Sequence, residues 1–140
     1  DPDPMYWDEE YAKQSKYGEL TTPPIMVSYM SSRVPPGESD VVTQAFEDNP
    51  MSDGIGDVHK HGELPPVPTN LVRVLNAGNE LELYRYPSIG DKIKFQNRYS
   101  DIRERVGRDG KPFLIITRET TYWNQGDEVL CITRASTIRR

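Results

Sequence analysis

From Asn79 onward, apolar and polar residues alternate: Leu81 and Leu83 stand against Glu80 and Glu82, then Ile93, Phe95 and Tyr99 against Lys92, Lys94 and Arg98. A period of two predicts strands with one buried face. Phe113-Leu114-Ile115-Ile116-Thr117 and Val129-Leu130-Cys131-Ile132 are apolar on both faces, which predicts central strands covered at least in part on both sides. Their tails, through Trp123 and Ile138, return toward alternation. Ser88-Ile89-Gly90-Asp91, Gly107-Arg108-Asp109-Gly110 and Asn124-Gln125-Gly126-Asp127 carry turn chemistry at the intervals between these segments. Four consecutive antiparallel strands are expected, and the long ones from Ile93 and Phe113 twist enough to curl around another element.

The first half supplies that element. Thr22 stands where it can cap a helix whose first turn holds Pro23 and Pro24, and Ile25-Met26-Val27-Ser28-Tyr29-Met30 carries it on to Arg33 before Pro35 stops it. Ile25, Met26, Tyr29 and Met30 form a stripe at helical spacing, read as core packing against a concave sheet. A shorter helix is expected from about Trp7 to Lys16, ending near Gly18. Between the helices and the sheet, residues 34–70 form a long loop rich in Pro, Gly and acids, with Phe46, Met51, Ile55 and Val58 scattered through it. A loop of that length is a functional lid or a disordered segment.

Composition narrows the class. The 140 residues, 35% of them hydrophobic, suit a single domain over residues 1–140. Ile, Leu, Val and Phe number 30, only just above the ~20% of a chain below which disorder sets in, so the core is thin. No apolar run approaches a membrane span and no signal-peptide pattern opens the chain, so a cytoplasmic protein without membrane contact is expected. The lone Cys131 excludes an internal disulfide framework and multi-cysteine zinc sites. Residues 1–70 carry 13 acids against 4 bases and residues 71–140 carry 9 against 13, within a net charge of -5. An acidic chain lacks the basic face that nucleic acid needs, but its second half can meet the phosphates of a small ligand.

Several chemistries drop out on residue types. No G-x-S-x-G elbow occurs, and Cys131 sits mid-strand among apolar neighbours, where a thiol acts as a small hydrophobe. Gly54-Ile55-Gly56 lacks the third glycine and the strand-to-helix context of a dinucleotide loop. His59-Lys60-His61, with Asp57 and Glu63 beside it, is the most metal-like segment, but the chain holds no third histidine and two solvated loop histidines explain it. No metal and no cofactor are expected.

The opening residues are more specific. Asp1-Pro2-Asp3-Pro4-Met5-Tyr6, followed by Asp8, Tyr11, Ala12 and Gly18, resembles the hydratase motif of the MaoC-like family: Asp, any residue, Asn, Pro, an apolar residue and His. Asp1 matches the catalytic aspartate, Asp3 stands where Asn is usual, Pro4 and Met5 match, and Tyr6 occupies the histidine position. Leu75-Asn76-Ala77-Gly78-Asn79-Glu80-Leu81, Tyr86-Pro87, Gly90-Asp91, Trp123-Asn124-Gln125-Gly126 and Thr137-Ile138-Arg139-Arg140 extend the resemblance to the N-terminal, fatty-acid-synthase-like dehydratase domain of that superfamily.

The resemblance implies an α+β hot dog fold, an antiparallel sheet wrapped around a central helix. It also implies hydration of an enoyl thioester, or the reverse elimination, by the aspartate and histidine jointly, with a backbone amide near the central helix polarising the thioester carbonyl. Histidine, with a reference pKa of about 6.5, changes protonation near neutrality and tyrosine, at about 10, does not. Asp1 and Tyr6 are therefore expected to be degenerate positions of the dyad. The implied role is a half-domain or subunit of a hydratase or dehydratase that shapes the acyl tunnel beside a second hot dog carrying the intact pair. The alternative is a binding module that holds acyl-CoA or acyl carrier protein without catalysis. A hot dog thioesterase would need a carboxylate on the central helix, and residues 23–33 hold none. Arg103, Arg105, Arg108 and Lys111, grouped on one expected hairpin, are the candidates for meeting the phosphates of an acyl-CoA.

Overall fold

A computed structural model of the chain describes residues 2–29, 41–51 and 64–140, without the side chains of residues 28, 29, 41 and 42. Four antiparallel strands follow one another: β1 (Val74–Leu83), β2 (Lys94–Val106), β3 (Pro112–Trp123) and β4 (Val129–Arg139), in the sheet order β1-β4-β3-β2. The two segments apolar on both faces are the central strands β3 and β4, as their pattern requires.

The first strand starts five residues before the Asn79 that alternation suggests. A bulge between Asn76 and Gly78 explains the difference. It shifts the phase of the side chains, so Val74 and Leu75 do not join the alternation of Leu81 and Leu83. Gly78 takes φ +136° there, and its N–H donates to Asn76 Oδ1. A second bulge, between Tyr99 and Asp101, does the same to β2.

Turn chemistry fixes the hairpins. Asn124 is buried, and its Oδ1 accepts from the N–H groups of Gly126 and Glu128 while its amide donates to Glu128 Oε2. Asp127 completes the turn at φ +62°. This tip is latched to the β1–β2 connection: Arg85 pairs with Glu128, Lys94 with Asp127, and Gln125 accepts from the Lys92 N–H and donates to Asp91.

The helical parts are shorter than their sequence pattern. Pro4–Tyr6 form a single 3-10 turn, and α1 covers Glu9–Gln14 rather than Trp7 to Lys16. Asp8 sets the start, accepting from the N–H groups of Glu10 and Tyr11. The next helix, α2 (Met26–Tyr29), begins three residues after Pro23, and its continuation toward Arg33 lies outside the described residues. Thr22 does not cap it: its hydroxyl accepts no hydrogen bond from the described residues, and the first bond runs from Met26 N to Pro23 O. The delayed start also changes the face that is buried: Val27 is fully buried, while Ile25 and Met26 of the expected core stripe are exposed. Met30 and the Tyr29 side chain lie outside the described residues. Within the segment read as an unbroken loop, α3 spans Val41–Asp48, with Ala45 buried and Phe46 and Met51 exposed. Ile55 and Val58 are not among the described residues. No described helix is long and apolar enough to cross a membrane.

The two faces of the sheet differ in kind. Strand register places Phe95, Tyr122, Cys131 and Leu83 in one row across all four strands, and Val27 of α2 packs on that row. Burial pushes the Cys131 thiol up to about 11, so it stays protonated and inert. Three residues along each strand, on the opposite face, Arg98, Glu119, Arg134 and Glu80 form a second row, in charges. Glu119 is buried and accepts from both Arg98 and Arg134, while Arg134 also pairs with Glu82. Burial pushes the Glu119 carboxyl up, but the two guanidiniums outweigh it and hold it below its ordinary range.

A carboxyl with a lowered pKa contributes stability that is complete above its unfolded value, about 4.5, and is lost as pH falls through the lower folded value. Glu119→Gln therefore lowers stability at pH 7 by about 1–2 kcal/mol, the loss of charge-assisted hydrogen bonds partly screened at the exposed Arg98 end. In urea titrations from pH 7 to pH 3, the gap between variant and parent closes below about pH 4.5. A gap that does not change with pH contradicts this account.

Candidate functional site

The motif-bearing turn is built by its own side chains. Asp3 caps the 3-10 turn by accepting from the Met5 N–H at 3.0 Å, and Pro4 occupies the first position, where a missing donor costs least. The turn is stitched to the approach of α2 by the Thr21 N–H, which donates to Met5 O at 3.1 Å. Asp1, the expected aspartate, is outside the described residues, as are Asp57, His59, Lys60, His61 and Glu63.

Tyr6 is half-buried, in the neighbourhood of the Tyr86 phenol. Tyr17 and Tyr86 meet edge to face with ring centroids 5.1 Å apart, and the Lys16 ammonium lies 4.9 Å from the Tyr17 ring centre. Burial first, and then the neighbouring Tyr17 and Tyr6, raise the Tyr86 phenol above its ordinary value. A phenol held this way donates a hydrogen bond and does not serve as a base at neutral pH. The only histidines of the chain, His59 and His61, are far from the motif in sequence.

Thr21 and Thr22 add a feature with no counterpart in the sequence pattern: the hydroxyls of both are buried and find no hydrogen-bond partner among the described residues. Thr21 is 6% exposed. An orphaned buried hydroxyl costs about 1–3 kcal/mol, and no motif signals it, because it arises from the chain path between two turns.

The four expected phosphate-binding cations separate into two pairs. Arg103 and Arg105 lie on the edge strand β2, with Arg103 paired to Asp101 at 2.6 Å. Arg108 and Lys111 flank the tip of the β2–β3 hairpin, which closes by the Gly107 N–H donating to Lys111 O and by Gly110 at φ +74°. They line an open groove of about 690 Å³ together with Arg73 and Arg140, neither of which is among the phosphate candidates expected from the sequence. Arg73 and Arg140 are neighbours because their backbones exchange two hydrogen bonds, each of 3.0 Å, beyond the end of the β1–β4 ladder. The floor residues Leu75, Phe113 and Ile138 lie on the charged-row face, opposite α2. Cys131, under α2, and Ile138 are seven residues apart on β4, about 23 Å at the usual strand rise. The groove thus lies at the other end and on the other face of the sheet from the row that α2 covers.

The orphan hydroxyl gives a direct test. Thr21→Val removes a desolvated group of similar shape and is expected to stabilise the free protein by about 1 kcal/mol in urea titration. A loss of similar size would mean that the hydroxyl has a partner.

Comparison with known structures places this architecture. The chain is similar to a chain of the ChsH1-ChsH2 complex from Mycobacterium tuberculosis, at 17% identity and TM-score 0.67, covering 99% of this chain and 70% of that one. It is similar to the MaoC-like dehydratase from Rhodospirillum rubrum, at 19% identity and TM-score 0.59, covering 100% and 77%. A third similarity is to the C-terminally truncated HadBC (3R-hydroxyacyl-ACP dehydratase) complex from Mycobacterium tuberculosis, at 15% identity and TM-score 0.59, covering 96% and 74%. At these identities the likeness establishes the α+β hot dog fold and nothing finer. No curated protein matches the chain in sequence. The family model of the FAS1-like dehydratase domain region matches residues 1–133, and the chain belongs to that family of MaoC-like hot dog dehydratase domains.

Proposed function

We propose that this chain is the non-catalytic hot dog half of an enoyl-thioester hydratase or 3-hydroxyacyl-thioester dehydratase, a single domain over residues 1–140 that shapes the acyl tunnel beside a catalytic partner. The observation that carries this reading is that the position where the motif resemblance expects histidine holds Tyr6, which is half-buried. Adding water across a conjugated double bond requires a group that takes a proton from water and returns one to the α-carbon near neutral pH. Phenols with a reference value of about 10 do not supply it.

The second hot dog, as a subunit or a fused domain, brings the intact Asp and His. Support for such pairing comes from the ChsH1-ChsH2 and HadBC structures, both complexes named for two components. The substrate in this reading is an acyl-CoA or acyl-carrier-protein thioester, and the protein works in the cytoplasm. Asp1 and Tyr6 are then retired positions, with Tyr6 filling volume and donating a hydrogen bond.

Tyr6→Phe tests the assignment in the assembled complex with its catalytic hot dog. The phenol oxygen is dispensable in this reading, so kcat/KM for enoyl-thioester hydration stays within about twofold of the parent. A loss of tenfold or more, about 1.4 kcal/mol of transition-state stabilisation, would show that Tyr6 takes part in the chemistry.

A further inference from the structure

The groove at the end of the sheet remote from the α2 contact has a composition that neither the fold nor the dyad requires. Its floor is mainly aliphatic, with Leu71, Leu75, Pro112 and Ile138 around the single aromatic Phe113. Its rim carries Arg73, Arg108, Lys111 and Arg140 against one acid, Asp109, which lies 3.8 Å from Arg140. Arg73, Arg108 and Lys111 have no carboxylate partner among the described residues, whereas Arg85, Lys94, Arg98 and Arg134 each have one. In a chain of net charge -5, three unpaired cations around an apolar hollow concentrate positive potential where the walls are of low dielectric. The volume of about 690 Å³ lies within the ordinary range of small-molecule sites, about 300–1,000 Å³.

We propose that this groove is a binding site for a single-chain amphipathic anion, an aliphatic chain ending in a carboxylate or phosphate, separate from the thioester site. The chain covers Leu75, Phe113 and Ile138, and the anionic head meets Arg73, Arg108 and Lys111. A bare phosphate would leave the apolar floor wet, and a neutral lipid would leave the cations unpaired, so both halves of the ligand are needed. The groove lies about 23 Å along β4 from the Cys131 row that α2 covers and on the opposite face of the sheet, so its ligand is not one held beneath α2. The inference therefore stands whether or not Tyr6 is catalytic.

Titration calorimetry of the full-length protein with decanoate, decyl phosphate, decanol, inorganic phosphate and ADP tests it. Decanoate or decyl phosphate is expected to bind at one site, with decanol, phosphate and ADP at least tenfold weaker; the tighter of the two identifies the head group as carboxylate or phosphate. Arg108→Glu combined with Lys111→Glu is expected to weaken binding at least tenfold with an unchanged thermal midpoint. Arg73→Gln is the second variant if the charge reversal unfolds the hairpin, and weakens binding at least threefold. Amphiphile binding that these substitutions leave unchanged, ADP binding as tight as decyl phosphate, or no binding by either amphiphile overturns the proposal.

Discussion

Val27 is fully buried against Tyr122 and Cys131 of the two central strands, with Leu83 and Ile93 packed around them, and the described core is organised on this contact. It joins α2 to a row of side chains that crosses every strand, so one helix position ties the sheet's four members to the helical half. The motif turn hangs from the same junction through the bond between Thr21 N–H and Met5 O, six residues before Val27. Few other hydrophobic side chains are buried to this degree, in keeping with the small aliphatic content of the sequence. A large-to-small change at such a position costs more than its transferred area, because a thin core has little with which to refill the cavity.

The other face follows from the same scarcity. Instead of a second apolar layer, the sheet carries the Arg98–Glu119–Arg134 row, in which each central-strand charge has a partner on its neighbour. Cross-strand ion pairs specify register, since a slip of one residue would turn the row toward Val27 and expose Tyr122. Toward the far end of that face the charges give way to Leu75, Phe113 and Ile138, and Arg73, Arg108 and Lys111 stand at the rim of a hollow with no carboxylate partner among the described residues.

Strand identity, the central position of β3 and β4, and the three turns were legible because each rests on local pattern: alternation, apolar runs, and Gly or Asn at fixed places. The start of β1 was not legible, because the bulge at Asn76/Gly78 changes the phase that alternation reads. The start of α2 was not legible because Pro23 and Pro24, favourable in a first helical turn by their fixed φ, are equally at home in the turn that precedes one. Half of the cationic groove was visible as the Arg108 and Lys111 hairpin. Its other half was not, since Arg73 and Arg140 are distant in sequence and become neighbours only through β1–β4 pairing. The orphan hydroxyls of Thr21 and Thr22 leave no trace in composition or spacing.

The family assignment fixes a dehydratase-type hot dog domain, and the proposed function adds that Tyr6 stands where the dyad's histidine is expected. In the function proposed here, fold and chemistry divide between two chains or two halves, with the scaffold in this chain and the proton transfer in the partner. The most direct test is the hydration of crotonyl-CoA, followed by loss of enoyl absorbance, with the full-length protein alone and then co-purified with a hot dog protein that carries both Asp and His. The account predicts turnover in the pair above that of the histidine-bearing protein by itself, and none from this chain alone. Turnover by this chain alone would contradict it, because the chemistry would then reside in a site without the histidine.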